Sequence, residues 1–397
     1  MADQMHFASA ITIEDSIETA TGDLAAQIRT QMSGQTLDLA LAFLSPHFGR
    51  VATSVASGLR EALSPRTLLG CTAEGVIGPE KEIERGPAIA LVAGHLPDVD
   101  LVPFVLPVTD WTQTLDSPAA FRQAVVAPAA TRLFVMLADP YSVPVEEVLG
   151  AFNSFYASVP VIGGMASGWP QPGGNALLLN DHVLSAGAVG VAFAGDVEVD
   201  VVVSQGCRPI GRTFTVSAAR ENVIVSLDGT PPLVRIQEVV AQLGEEDRAL
   251  LKNGLLIGRA IDPHQETLGR GDFLIRSVMG VDPESGAIAV GDTIQDGEAV
   301  QFHLRDAVAA EEDLEMMLTP QLFFEPPRGA FLFSCNGRGT RLYDHPDGDV
   351  SLIRQVLGDV SLAGFFCAGE IGPIGGKNFL HGHTASLVLF RPQSRAH

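Results

Sequence analysis

The sequence is poor in cysteine and in positive charge, and it has no long hydrophobic run. Each shortage removes a class of protein. Four cysteines occur among 397 residues, at 71, 207, 335 and 367, and no two form a C-x-x-C pair. That is too few for a disulfide scaffold of this size and fits reduced thiols in a cytosol. Lys and Arg number 25 against 47 Asp and Glu, a formal charge of −22. Such a field repels phosphate backbones and anionic membrane surfaces, so neither nucleic acid nor a membrane is an expected partner. The start, Met1-Ala-Asp-Gln-Met-His-Phe7, has no basic stretch ahead of an apolar core, so no signal peptide is expected. No segment reaches the roughly 18–20 uncharged apolar residues of a membrane-spanning helix. These absences together point to a soluble, cytoplasmic protein.

What the chain does hold is apolar residues and glycine. With 46% hydrophobic and 18% charged residues, it has enough to bury a sizeable core. Its length allows two or three domains. Glycine is concentrated in a turn that recurs. The clearest copy runs Leu362-Ala-Gly-Phe-Phe-Cys-Ala-Gly-Glu-Ile-Gly-Pro373, and earlier copies are Leu69–Pro79 and Ile162–Pro172. In each, a second Gly lies five positions after the first and a Pro nine after it: 70, 75, 79; 163, 168, 172; 364, 369, 373. An apolar strand-like run precedes each turn (37–44, 132–138, 330–334), followed by a helix-like segment (51–63, 145–157, 349–357). Another strand-like run follows each turn, at 86–93, 186–194 and 384–390. The expectation is one strand–helix–strand–turn–strand module used three times.

Read in order, residues 1–35 form a polar lead-in with a weakly amphipathic helix over 14–32. The first module takes 36–106, a Pro-bearing linker 107–129, and the second module 130–205. Residues 206–325 differ in pattern. They read as strands 213–216, 222–227, 255–261 and 272–278, helices 232–243 and 307–318, and a hairpin between 286–290 and 299–305. The third module takes 328–391. The strand Leu37–Leu44 is almost continuously apolar, as a strand covered on both faces must be. Strand–helix–strand order implies local parallel pairing, and the short connections after the turns imply hairpins. The expected fold is therefore α/β (or α+β) with mixed β-sheets around a common core.

Several chemical signatures fail on inspection. After Gly337-Arg-Gly339, the sixth position of a dinucleotide fingerprint is Leu342 rather than Gly. Gly376-Lys377 lacks the first Gly of a phosphate loop, which is Ile371, and its Ser/Thr, which is Asn378. Cys335, Cys367, His381 and His383 form no second paired-ligand motif, so no metal and no cofactor is expected. A cysteine nucleophile stays open as an alternative: Cys367 or Cys335 beside exposed backbone N–H groups, with His381 or His383 as base and Glu370 or Asn336 as orienter. The leading reading is binding. Glycine lets a backbone approach a small anion closely, and Arg offers a planar fork to a carboxylate. The candidate ligand-binding residues are Arg276, Arg305, Cys335, Asn336, Arg338, Cys367, Glu370, Lys377, Asn378 and His381, with Arg208 and Arg259 also near strand ends. Truncating Arg338 is expected to weaken binding without unfolding the protein.

At Gly271-Asp-Phe-Leu-Ile-Arg276, Gln301-Phe-His-Leu-Arg-Asp306, Phe333-Ser-Cys-Asn-Gly-Arg-Gly339 and Phe366–Pro373, the sequence resembles the FIST family, the F-box and intracellular signal transduction proteins. Gly70–Gly75 and Gly163-Gly164 look like its N domain. The resemblance implies two FIST-type domains sharing a core, a FIST N-like domain over 36–227 and a FIST C-like domain over 228–397. It also implies a sensory module for a small ligand, an amino acid being the favoured type, in signal transduction. The family's usual output domain or F-box has no room here, so a separate partner protein is expected to carry the signal. A pure adaptor acting through its surface is the further alternative.

Overall fold

The computed structural model describes residues 4–108, 111–262, 265 and 268–393. The chain forms two compact units. One comprises Met1–Val203, Leu314–Leu380 and Thr384–His397; the other comprises Ser204–Asp313 and His381–His383.

The first unit contains the expected module three times. In the first copy, strand Leu39–Leu44 leads through helix Ala52–Leu63 to strand Thr67–Thr72, which pairs with it in parallel. Strand Ile89–His95 then pairs antiparallel on the other side of Leu39–Leu44. The second copy repeats this with Thr131–Ala138, helix Val145–Phe155, Val161–Met165 and Ala188–Gly195. The third uses Gly329–Cys335, helix Gly348–Leu357, Leu362–Cys367 and Thr384–Pro392. The sheets are mixed, as the connection lengths require.

The repeated first glycine has a physical reason. Gly70, Gly163 and Gly364 each sit opposite a register partner on the parallel neighbour: Ala42, Met136 and Leu332. A Cβ on these glycines would lie 2.1, 1.8 and 1.8 Å from the partner's carbonyl oxygen. Any side chain would push the parallel pair apart.

The segment after each turn leaves its own module. Val76–Ile77 pairs with Gly364 and Phe365 of the third module, and Glu370–Ile371 pairs with Gly163 and Gly164 of the second. Leu177–Leu179 pairs with Leu69–Cys71 of the first. The first module thus donates to the third, the third to the second, and the second to the first.

Strand periodicity sorts the side chains. Leu39, Leu41 and Phe43 face a core shared by all three sheets, with Leu133, Val135, Phe331, Phe333 and Phe365. Phe43 stacks on Phe365 with ring centroids 4.9 Å apart and meets Phe333 edge-on at 6.2 Å. The alternate residues, Ala40, Ala42 and Leu44, face helices Ile17–Met32 and Ala52–Leu63. The expected polar lead-in also contains a strand, His6–Thr12, paired antiparallel with Ile89–His95. Its run of Ala and Ser carries little hydrophobic alternation, which is why the sequence hides it.

The second unit is a closed antiparallel barrel of six strands: Cys207–Arg220, Val223–Leu227, Ile288–Val290, Phe273–Val281, Leu255–Ala260 and Ala299–Arg305. The expected hairpin between 286–290 and 299–305 does not form. Ile288–Val290 pairs with Val223–Leu227 and Phe273–Val281, whereas Ala299–Arg305 pairs with Cys207–Arg220 and Leu255–Ala260. The intervening residues bond elsewhere, Ile294 N to Glu221 O and Gly297 N to Val216 O, both at 2.8–2.9 Å. They carry the chain to the other side of the longest strand.

Candidate functional site

Strand exchange brings the three glycine turns together within the first unit. Thr72 O accepts from Ser167 N and Gly168 N, Gly75 O accepts from Phe366 N at 3.0 Å, and Gly369 O accepts from Met165 N at 2.8 Å. Ser167 links all three turns: its Oγ accepts from Glu74 N at 2.8 Å and donates to Phe366 O.

Five of the sequence-derived candidates gather around the third turn. Cys335 and Cys367 are register partners on adjacent parallel strands. Asn336 N donates to Cys367 O at 2.8 Å, and its side-chain amide donates to Glu74 Oε2 at 3.3 Å. Arg341, which the sequence reading passed over, pairs with Glu74 and donates to Asn336 O at 2.7 Å. Glu370 is fully buried, and its Oε2 accepts from Thr384 N at 3.0 Å and Thr384 Oγ1 at 2.9 Å. Cys335 also bonds this carboxyl. Burial outweighs the Thr384 bonds and pushes this carboxyl up to about 8, so at neutral pH it is mostly protonated.

Arg338 is also fully buried, and its fork closes on Asp349, with Nη2–Oδ1 at 2.7 Å and Nε–Oδ2 at 3.0 Å. Tyr343 and Ser334 donate hydroxyl hydrogens to the same carboxylate, each at 2.7 Å. Burial opposes ionisation of Asp349, but Arg338 and these hydroxyls outweigh it and keep the carboxyl below the usual range. Beside it, Glu82 is pushed up to about 8 by burial and by the charge of Asp349. The guanidinium is thus engaged by an acid of its own chain.

Of the other five candidates, two belong to the first unit and three to the second. Lys377 is exposed on the strand Lys377–His381. Asn378 is a buried tie: its Oδ1 accepts from Val161 N at 2.7 Å, and its Nδ2 donates to Asn153 Oδ1 at 2.9 Å and Val159 O at 3.1 Å. Arg276, Arg305 and His381 belong to the second unit. There Arg276 and Arg259 both pair with Asp292 at 3.1 Å, and Arg305 pairs in register with Cys207. Arg208 is held between Asp247 and Asp306. All four cysteines are free and buried. Among the described residues no three His, Cys, Asp or Glu side chains group as a metal site.

A cavity of about 640 Å³ opens beside the second turn, in the first unit. It lies at the carboxyl end of strand Leu39–Leu44, where ligands of α/β sheets commonly sit. His47 and Arg50 line it from the connection after that strand, Trp169 from the second turn, Asn175 from the residues just after it, and Val183 and Leu184 from the hairpin beyond. Asn175 is buried; its Oδ1 accepts from Trp169 N at 2.9 Å and its Nδ2 donates to Asp139 Oδ1 at 3.1 Å. Arg50 is exposed and forms no ion pair among the described residues. Sequence reasoning missed this site because Arg50 and His47 lie in a short connection with no motif. Trp169, inside the repeated turn, was the one available signal.

Exchanged α/β modules with an added antiparallel barrel define the class of fold. The chain belongs to the FIST family: the FIST N domain matches residues 38–230 and the FIST C domain residues 232–373. FIST domains are associated with sensing in signal transduction. An uncharacterized protein of Mycobacterium tuberculosis is 37% identical over 388 residues, covering 97% of this chain and all of its own. One of Mycobacterium bovis is 38% identical over 375 residues, covering 94% and 95%. A solved cyanuric acid hydrolase from A. caulinodans aligns over 98% of the chain at 8% identity and a TM-score of 0.38, too remote for any argument. Among the described residues no helix is long and apolar enough to cross a membrane.

Proposed function

We propose that this protein is a cytoplasmic sensor that binds a small carboxylate metabolite and passes the signal to a separate partner protein. The carrying observation is the 640 Å³ cavity, within the roughly 300–1,000 Å³ of small-molecule sites, with Arg50 lining it without an acidic partner among the described residues. In a chain with 47 acids, a cation left open beside a cavity is available to an anion from solution. Asn175 adds a fixed polar group, and Val183 and Leu184 add apolar surface. The third-turn cluster adjoins this turn through Ser167, which bonds to both Glu74 and Phe366. A ligand that shifts the second turn therefore acts on residues the sequence singled out, Asn336 and Cys367 among them.

The test is a thermal-shift screen of amino acids and organic acids against the purified protein. A ligand at about 100 times its dissociation constant adds roughly 2.7 kcal/mol, a shift of a few degrees. Arg50→Gln should abolish the shift of any hit. A broad acid panel without hits, or hits indifferent to Arg50→Gln, would overturn the reading.

A further inference from the structure

We propose that the cavity beside the second turn is selective for planar aromatic acids, with the ring stacked on Trp169 and the carboxylate paired with Arg50. The inference rests on the cavity being the ligand site.

Trp169 is built as a platform. A Cβ at Gly174 would lie 2.1 Å from its Cδ1 and 2.4 Å from its Cγ, so the indole is backed directly by the main chain at that glycine. Gly173, with φ of +75°, makes the left-handed turn that returns the chain beneath the ring. The backbone of Trp169 is pinned by the buried Asn175, which is itself pinned by the buried Asp139. A large apolar side chain held this firmly would ordinarily be covered, yet Trp169 is 43% exposed. Its location in the cavity lining gives the exposed surface a use. Aromatic rings attract one another in offset or edge geometry beyond the area they bury, which selects planar over puckered ligands.

The charge of the ligand follows from the chain's own. A field of −22 repels multiply charged anions more strongly than singly charged ones. Among the described residues Arg50 is the one arginine lining the cavity, and it offers one carboxylate-sized fork. A monocarboxylate carrying an aromatic ring satisfies both.

Calorimetry on the full chain tests this with matched probes: benzoate, 2-naphthoate and indole-3-carboxylate against cyclohexanecarboxylate, which has the charge and bulk of benzoate without the plane. At least one aromatic acid should bind about tenfold or more tightly than cyclohexanecarboxylate. Trp169→Leu should remove about that factor from the aromatic acid and leave cyclohexanecarboxylate unchanged, and Trp169→Phe should retain part of it. Equal binding of benzoate and cyclohexanecarboxylate, both weakened by Arg50→Gln, would overturn the aromatic preference and leave the carboxylate site standing. No binding of any probe up to millimolar concentration, or binding untouched by Arg50→Gln, would overturn both.

Discussion

Arg338 and Asp349 form a two-point ion pair from which solvent is excluded, the guanidinium 1% and the carboxylate 0% exposed. Removing one partner of such a pair leaves the other charge buried alone, which typically costs about 3–5 kcal/mol. Arg338→Ala should therefore lower the melting temperature by many degrees, and Asp349→Asn should do likewise. Thermal denaturation decides it. A variant that melts like the parent would show the pair to be dispensable. The sequence pointed to a binding arginine whose loss leaves the fold intact; the buried pair reverses that expectation.

Glu370 has a carboxyl raised to about 8 in the folded protein and near its ordinary value of about 4.5 when unfolded. The folded state therefore holds a proton that the unfolded state has released between these values. Its contribution to stability is complete below the lower value and is lost as pH rises toward 8. Glu370→Gln should flatten the decline of stability across pH 5–8 by about one proton. Urea titrations at several pH values measure this; an unchanged slope would mean the carboxyl ionises normally in the fold.

The second unit responds in the opposite sense. His303 is buried against Phe273, and burial pushes its imidazole down to about 4 although Gln301 O holds the ring. Stability from keeping it neutral is present above pH 6.5 and is lost as pH falls toward 4. Replacing it by Gln should reduce the acid sensitivity of the barrel strands, read by amide hydrogen exchange.

The cysteine-nucleophile reading predicts fast alkylation, and the structure predicts the reverse. Cys71 and Cys367 are fully buried, and burial pushes both thiols well above their ordinary range. Cys335 is 7% exposed. Iodoacetamide should label none of the three in the native protein on the timescale of a free thiol, and all after denaturation. Rapid native labelling of Cys335 or Cys367, seen by peptide mass, would revive the enzyme alternative.

Gly364→Ala tests the repeat itself. Its Cβ would meet Leu332 O at 1.8 Å, and backbone on both sides cannot yield cheaply. The variant should be destabilised by several kcal/mol, far more than the ~1 kcal/mol that a freely placed glycine gains on mutation to alanine. Gly22, with open space around it, is the control and should be stabilised or neutral as alanine.

The modules were legible because each strand carries its own signal. Leu39–Leu44 announces itself as an unbroken apolar run followed by Ser45-Pro46. The glycine spacing marked the turns because the same steric conflict recurs at Gly70, Gly163 and Gly364. Closure was not legible. Whether Ala299–Arg305 pairs with its sequence neighbour or with Cys207–Arg220 depends on partners about ninety residues away. The cluster around Cys335, Arg338 and Glu370 was located by its glycines. The role of its arginine was hidden because Asp349 lies on the following helix and looks like any surface acid. Arg50 and Trp169 line one cavity although they come from different modules, which no local pattern records.

That exchange makes the first unit a closed ring of three donors and three acceptors written on one chain. Heterologous contacts either close after a fixed number of copies or propagate without end. Here the polypeptide counts to three. A single module expressed alone would hold one unfilled acceptor edge and one unused donor, which three copies would satisfy in a closed trimer. Tandem duplication of a module, by contrast, would add one donor and one acceptor to a core built from three modules.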